Sequence, residues 1–186
     1  MPKRGKKAAT PPTVRVNRAP VLTLWGAVVA ERLGHDGKTA LTLGKAVAGL
    51  SAQAKGRRLG VYHEAPEEDQ TRRARARAKA GVTWVDFMGR HIPVVHTKDG
   101  LRAVRDRSPE DPAAVERYLE TKLGDSLPAV RAAMIALAKS MPKDELSERA
   151  FDLYESFRPR VPSGERGWGA KGELDLARIR ALAKGR

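Results

Sequence analysis

PVLTLWGAVVAERL, residues 20–33, is the stretch whose reading decides the fold. At 3.6 residues per turn, Val21, Leu22, Leu24, Trp25, Val28, Val29 and Leu33 leave only a narrow polar side. A helix apolar nearly all round belongs in a core. Pro20 suits its first turn and Gly34 its stop. Trp25 is therefore expected inside the protein, in preference to acting as a base-stacking platform. A buried helix needs amphipathic neighbours, and the rest of the chain offers them.

On the C-terminal side, Asp36 is placed to cap a second helix running from Lys38 to about Arg58. Ala40, Leu43, Val47, Leu50 and Ala54 recur at helical spacing. Gly44 and Gly49 weaken such a helix by about 1 kcal/mol each relative to Ala, and small residues there admit another backbone. A second parse breaks the segment at Ala48-Gly49-Leu50-Ser51 into a helix-turn-helix. Ser51 would then cap a recognition helix presenting Gln53, Lys55, Arg57 and Arg58 to DNA. Lys45 and Lys55 stand where that motif normally has small and aliphatic residues, so one unbroken helix is the preferred reading.

Residues 61–81 change character. Glu67, Glu68 and Asp69 precede Arg72, Arg73, Arg75, Arg77 and Lys79. That order suits a helix dipole, with Glu68–Arg72 and Asp69–Arg73 as four-residue ion pairs. No apolar stripe accompanies it, so the segment reads as a charged linker or an exposed basic helix. From Val82 the pattern turns to strands. Trp84, Val85 and Phe87, then Ile92, Val94 and Val95, then Leu101 and Val104 are separated by turns at Gly89 and at Lys98-Asp99-Gly100. Pro93 suggests an edge strand. Three short helices follow, striped by Val115, Leu119 and Leu123, by Val130, Met134 and Leu137, and by Leu146, Ala150, Tyr154 and Phe157. A glycine-rich loop with Arg166, Trp168 and Lys171 leads to a last helix from about Asp175.

The expected fold is thus mainly α with a small antiparallel β-hairpin or meander, an α+β protein. A helical N-terminal block and a C-terminal three-helix module are its main parts, with two lobes joined near residues 61–81 as a variant. The segments are a flexible basic arm (1–19), the N-terminal helical region (20–60), the charged linker or basic helix (61–81), the hairpin or meander (82–107), an acidic helical module (108–158), and a basic Gly/Trp loop with the C-terminal helix (159–186).

The chain of 186 residues carries 36 Lys and Arg against 22 Asp and Glu, a net charge of +14. A field of that size attracts polyanions before any specific contact forms. The excess is local: residues 1–20 hold six bases and no acid, whereas residues 109–157 hold six bases and ten acids. The basic segments lack the bulky apolar face that a membrane-surface helix needs. The expectation is a cytoplasmic nucleic-acid-binding protein, with double-stranded DNA ahead of RNA or ribosome association, and DNA binding either regulatory or architectural. Lys3, Arg4, Lys6, Lys7, Lys55, Arg57, Arg58, Arg72, Arg73, Arg75 and Arg77 are assigned phosphate contacts and Gln53 a base contact. Trp168 is a candidate for stacking on a base, beside Arg166 and Lys171 on phosphates. A non-catalytic adaptor, recruiting a protein partner on residues 109–157, is the rival reading.

No enzymatic chemistry is expected, and no cofactor. Gly37-Lys38-Thr39 lacks the glycine five residues earlier that a nucleotide phosphate loop requires, because Arg32 is there. The absence of cysteine excludes thiolate metal sites. His35, His63, His91 and His96 have no metal-ligand spacing, so no metal is expected.

Overall fold

The computed structural model describes residues 12–165 and 169–185. Its centre is α1 (Arg18–Leu33), buried without interruption from Pro20 to Ala30. Trp25 is fully enclosed, as its setting in the sequence implied. Its indole Nε1 donates to the Ala150 carbonyl at 2.7 Å, and its ring meets Phe157 edge-on at 5.4 Å. A buried indole N–H without such a partner would cost a desolvation penalty. Gly34 ends the helix in the left-handed region, φ 114°.

Helix α2 (Gly37–Arg58) crosses α1 at backbone contact. A Cβ on Gly44 would lie 2.2 Å from the Thr23 carbonyl oxygen and 2.7 Å from the Ala27 nitrogen. Only glycine fits there. The segment is one helix, so the helix-turn-helix parse is replaced. Gly49 lacks the positive φ that a turn would need. Leu43 and Val47 before it and Leu50 after it pack on the same core. That shared burial outweighs the roughly 1 kcal/mol weakness of a helical glycine. Helix α3 (Glu67–Lys79) follows and buries no residue at all.

Helices α4 (Pro112–Leu123), α5 (Leu127–Lys139) and α6 (Lys143–Phe157) surround α1 on its remaining sides, and α7 (Leu176–Ala183) lies on α5. Asp111 and Asp175 cap α4 and α7 through the Ala113 and Ala177 amides, at 3.0 and 2.8 Å. Lys45 of α2 holds its ammonium 3.6 Å over the Tyr118 ring of α4, which explains a lysine at a packed position.

Strand β1 (Thr13–Val16) pairs antiparallel with the last strand, β6 (Gly172–Asp175). The flexible arm expected over 1–19 is therefore corrected at its C-terminal end. Thr13-Val-Arg-Val alternates with the period of a strand, and Val14 and Val16 are both buried. Residues 1–11 lie outside the described residues. The second sheet is a meander, β2 (Thr83–Phe87), β3 (Arg90–Thr97), β4 (Gly100–Arg105) and β5 (Ser108–Pro109). The two-residue turn Met88-Gly89 has positive φ at both positions, as a hairpin matched to strand twist requires.

The edge-strand expectation from Pro93 is also corrected: β3 lies between β2 and β4. Proline is tolerated because β3 pairs with β4 only from Val94 onward, while Pro93 faces Trp84 on the β2 side. Phe87, Ile92, Val94 and Ala103 of the meander share one hydrophobic cluster with α1, α2 and α4 to α7. The buried Arg102 ties the sheet to α2, donating through Nη1 to the Leu101 carbonyl at 2.7 Å and to Thr39 Oγ1 at 3.2 Å.

Candidate nucleic-acid interface

The C-terminal end of α2 places Lys55, Arg57 and Arg58 in its last turn, where cations complement the helix dipole. All three are exposed, as is Gln53. Arg57 is partly engaged: Nη1 lies 3.3 Å from Glu64, and its guanidinium sits 5.4 Å from the Tyr62 ring centroid. With no turn before it, Gln53 stands in the body of a helix, not at the start of a recognition helix. The base-reading role given to it loses that support.

Helix α3 opens with three acids and continues with five cations. Arg72, Arg75 and Lys79 recur at three and four residues and share one face, while Arg73 and Arg77 share another. The expected pairs Glu68–Arg72 and Asp69–Arg73 do not form. Arg72 instead bonds Asp69 at 2.7 Å, one position nearer. Among the described residues, Arg73, Arg75 and Lys79 make no ion pair. An isolated helix of this length is marginal in water. Its anchors here are small: Gln70 Nε2 donates to the Ala65 carbonyl at 2.7 Å, and the Arg77 guanidinium lies 5.7 Å from the Trp84 ring centroid.

Trp84 is the site residue that the sequence reading passed over. It is 45% exposed on the outer face of β2. Its ring stacks on His91 with centroids 4.6 Å apart and planes within 2°. His91 in turn places Nδ1 2.7 Å from Asp86 Oδ1. The signal was available: Val85 and Phe87 point inward, so a period of two turns Trp84 and Asp86 outward. Arg77 of the cationic helix thus meets the stacked Trp84–His91 pair on the β2–β3 face.

Other expected residues are not brought to this place by any hydrogen bond or ion pair among the described residues. Lys171 is exposed immediately before β6, on the sheet that joins the two ends of the chain. Lys3, Arg4, Lys6, Lys7, Arg166 and Trp168 lie outside the described residues. Among the described residues the exposed large hydrophobics are Leu59, Val61, Tyr62 and Trp84. None of these four lies in 109–157, where the adaptor reading places its apolar patch. Among the described residues, no three His, Asp or Glu side chains converge as a metal site, and no helix is long and apolar enough to cross a membrane. No protein-family model, curated protein or solved structure matches the chain.

Proposed function

We propose that the protein binds nucleic acid, double-stranded DNA foremost, through phosphate contacts from α3 and the end of α2. The observation that carries this reading is α3 itself: five cations on a helix with no buried residue. Packing gives no reason for that helix, whereas a phosphate backbone does, because each neutralised phosphate releases condensed counterions. Thirteen residues span about 20 Å at 1.5 Å per residue, and the major groove admits a helix. The excess of +14 over the whole chain supports long-range attraction to the same target.

Trp84 favours a second reading, in which unpaired bases of RNA or single-stranded DNA stack on the β2–β3 face while α3 holds phosphates. Fluorescence anisotropy with duplex DNA, single-stranded DNA and structured RNA of equal length separates the two. Replacing Arg72, Arg73, Arg75 and Arg77 with Ala weakens every nucleic acid that binds. Trp84→Ala weakens only unpaired targets, by about tenfold or more if one base stacks there. Duplex binding that survives the α3 substitutions intact contradicts the proposal.

A further inference from the structure

The end of the molecule that carries β1 and β6 gathers four arginines to which the sequence reading gave no role. Arg18 opens α1, Arg158 follows α6, Arg160 lies two residues further on, and Arg178 is on α7. They line one cleft of about 330 Å³, with Glu155, Ser156, Pro159 and Val161 completing its wall. Among the described residues, four arginines and a single carboxylate line it. Like charges repel, and the fold holds these four in place through several separate devices.

Arg18 Nε donates to the Pro159 carbonyl at 3.1 Å. Arg178 Nε donates to the Ser156 carbonyl. Each bond uses the inner nitrogen of the side chain. Among the described residues, the two outer nitrogens of each make no hydrogen bond. Arg158 bonds Glu155 Oε2 at 2.9 Å. The Arg160 side chain makes no hydrogen bond or ion pair among the described residues. Its backbone is clamped by a reciprocal pair with Glu173, at 3.0 and 2.9 Å. Pro159 and Pro162 stiffen the segment 158–162 on either side of it. Gly172 lets it approach: a Cβ there would lie 2.8 Å from the Arg160 carbonyl carbon.

We infer that this cleft binds closely spaced phosphates. Guanidinium forks match phosphate oxygens two at a time, and are the preferred groups for that geometry. The volume is at the small end for a ligand site. Among the described residues the wall has no aromatic ring to hold a base, so the phosphates themselves are what it recognises. They are either a free di- or triphosphate group or neighbouring phosphates of a nucleic-acid backbone.

Titration calorimetry of the full chain with inorganic pyrophosphate at low ionic strength tests the inference. One saturable site is expected. Arg160→Ala weakens it about tenfold without changing the melting temperature of the unliganded protein, because that side chain supports nothing else. Glu155→Gln tightens it, since the one carboxylate among the described residues lining the cleft is gone and Arg158 is released. Arg180→Ala, on α7 but outside the cleft, leaves it unchanged, as does replacing the four arginines of α3. An oligonucleotide that displaces pyrophosphate, and whose own binding weakens in Arg160→Ala, identifies backbone phosphates as the source. Oligonucleotide binding that ignores Arg160→Ala identifies a small phosphorylated ligand. Absence of saturable pyrophosphate binding, or binding that Arg160→Ala and Glu155→Gln leave unaltered, overturns the inference.

Discussion

At the scale of single residues, two glycines of α2 have opposite roles. Gly44 lies against the α1 backbone, and Gly49 has nothing within 4 Å of where its Cβ would be. Gly44→Ala must push the two helices apart, so a loss of about 1–3 kcal/mol is expected in denaturant unfolding. Gly49→Ala should instead stabilise by about 0.5–1 kcal/mol, the gain of replacing a helical glycine. A destabilised Gly49→Ala would revive the turn at that position. Asp36 is a second such residue. It accepts hydrogen bonds from the Lys38 and Thr39 amides and from the Thr39 hydroxyl, at 3.1, 3.0 and 2.6 Å. Those bonds, the Thr39 hydroxyl first, hold its carboxyl below the ordinary value of 3.8. A depressed folded value means the contribution is complete above 3.8 and disappears as pH falls through the lowered value. Asp36→Ala should therefore cost about 1 kcal/mol at neutral pH, the usual worth of an N-cap, and less in acid. Thermal melts of both proteins from pH 7 to pH 2 check this, and a gap that stays constant across the range contradicts it.

At the scale of elements, β1 is the part that composition concealed. Deleting residues 2–18 removes two buried valines and a ladder with β6, so about 3 kcal/mol or more of stability should go, measured by urea unfolding. A truncated protein as stable as the intact one would mean the pair adds nothing. The packed helices were legible because they carry periodic apolar stripes several turns long, and Asp36 caps α2 where the sequence places it; Asp111 and Asp175 cap α4 and α7, whereas α1, α3, α5 and α6 have no side-chain cap bond. The strands β1 and β6 were not. Thr13-Val-Arg-Val is too short for periodicity to outweigh its basic surroundings, and Gly172-Glu-Leu-Asp has a single apolar side chain. Pro93 misled because the rule concerns one side of a strand, and β3 is paired on one side only at that residue. Helix α3 was legible as a charge pattern, and the structure adds that it buries no residue and leans on Trp84 through Arg77. Replacing its four arginines with Ala should hardly change the melting temperature, since exposed ion pairs contribute little. A large loss would make α3 a structural element and remove the argument for its function.

At the scale of the whole molecule, charge is divided by place. Residues 109–157, which form α4 to α6, carry more acids than bases, whereas the body of α3, the end of α2 and the segment 158–160 beside β6 carry cations. A sequence read segment by segment shows the first two basic groups, because each is contiguous. It cannot show the cleft of Arg18, Arg158, Arg160 and Arg178, whose members meet only when both ends of the chain pair through β1 and β6. The division also supplies a control: neutralising acids of 109–157 should leave nucleic-acid binding nearly unchanged. The most direct measurement is the affinity for duplex DNA as a function of salt, for the wild type and for the variant with Ala at Arg72, Arg73, Arg75 and Arg77. Five to eight phosphate contacts give a slope of log affinity against log salt of about −4 to −7, and losing α3 should make it shallower by about two to four. An unchanged slope in the variant, or no salt-dependent binding to any nucleic acid at low ionic strength, contradicts the account.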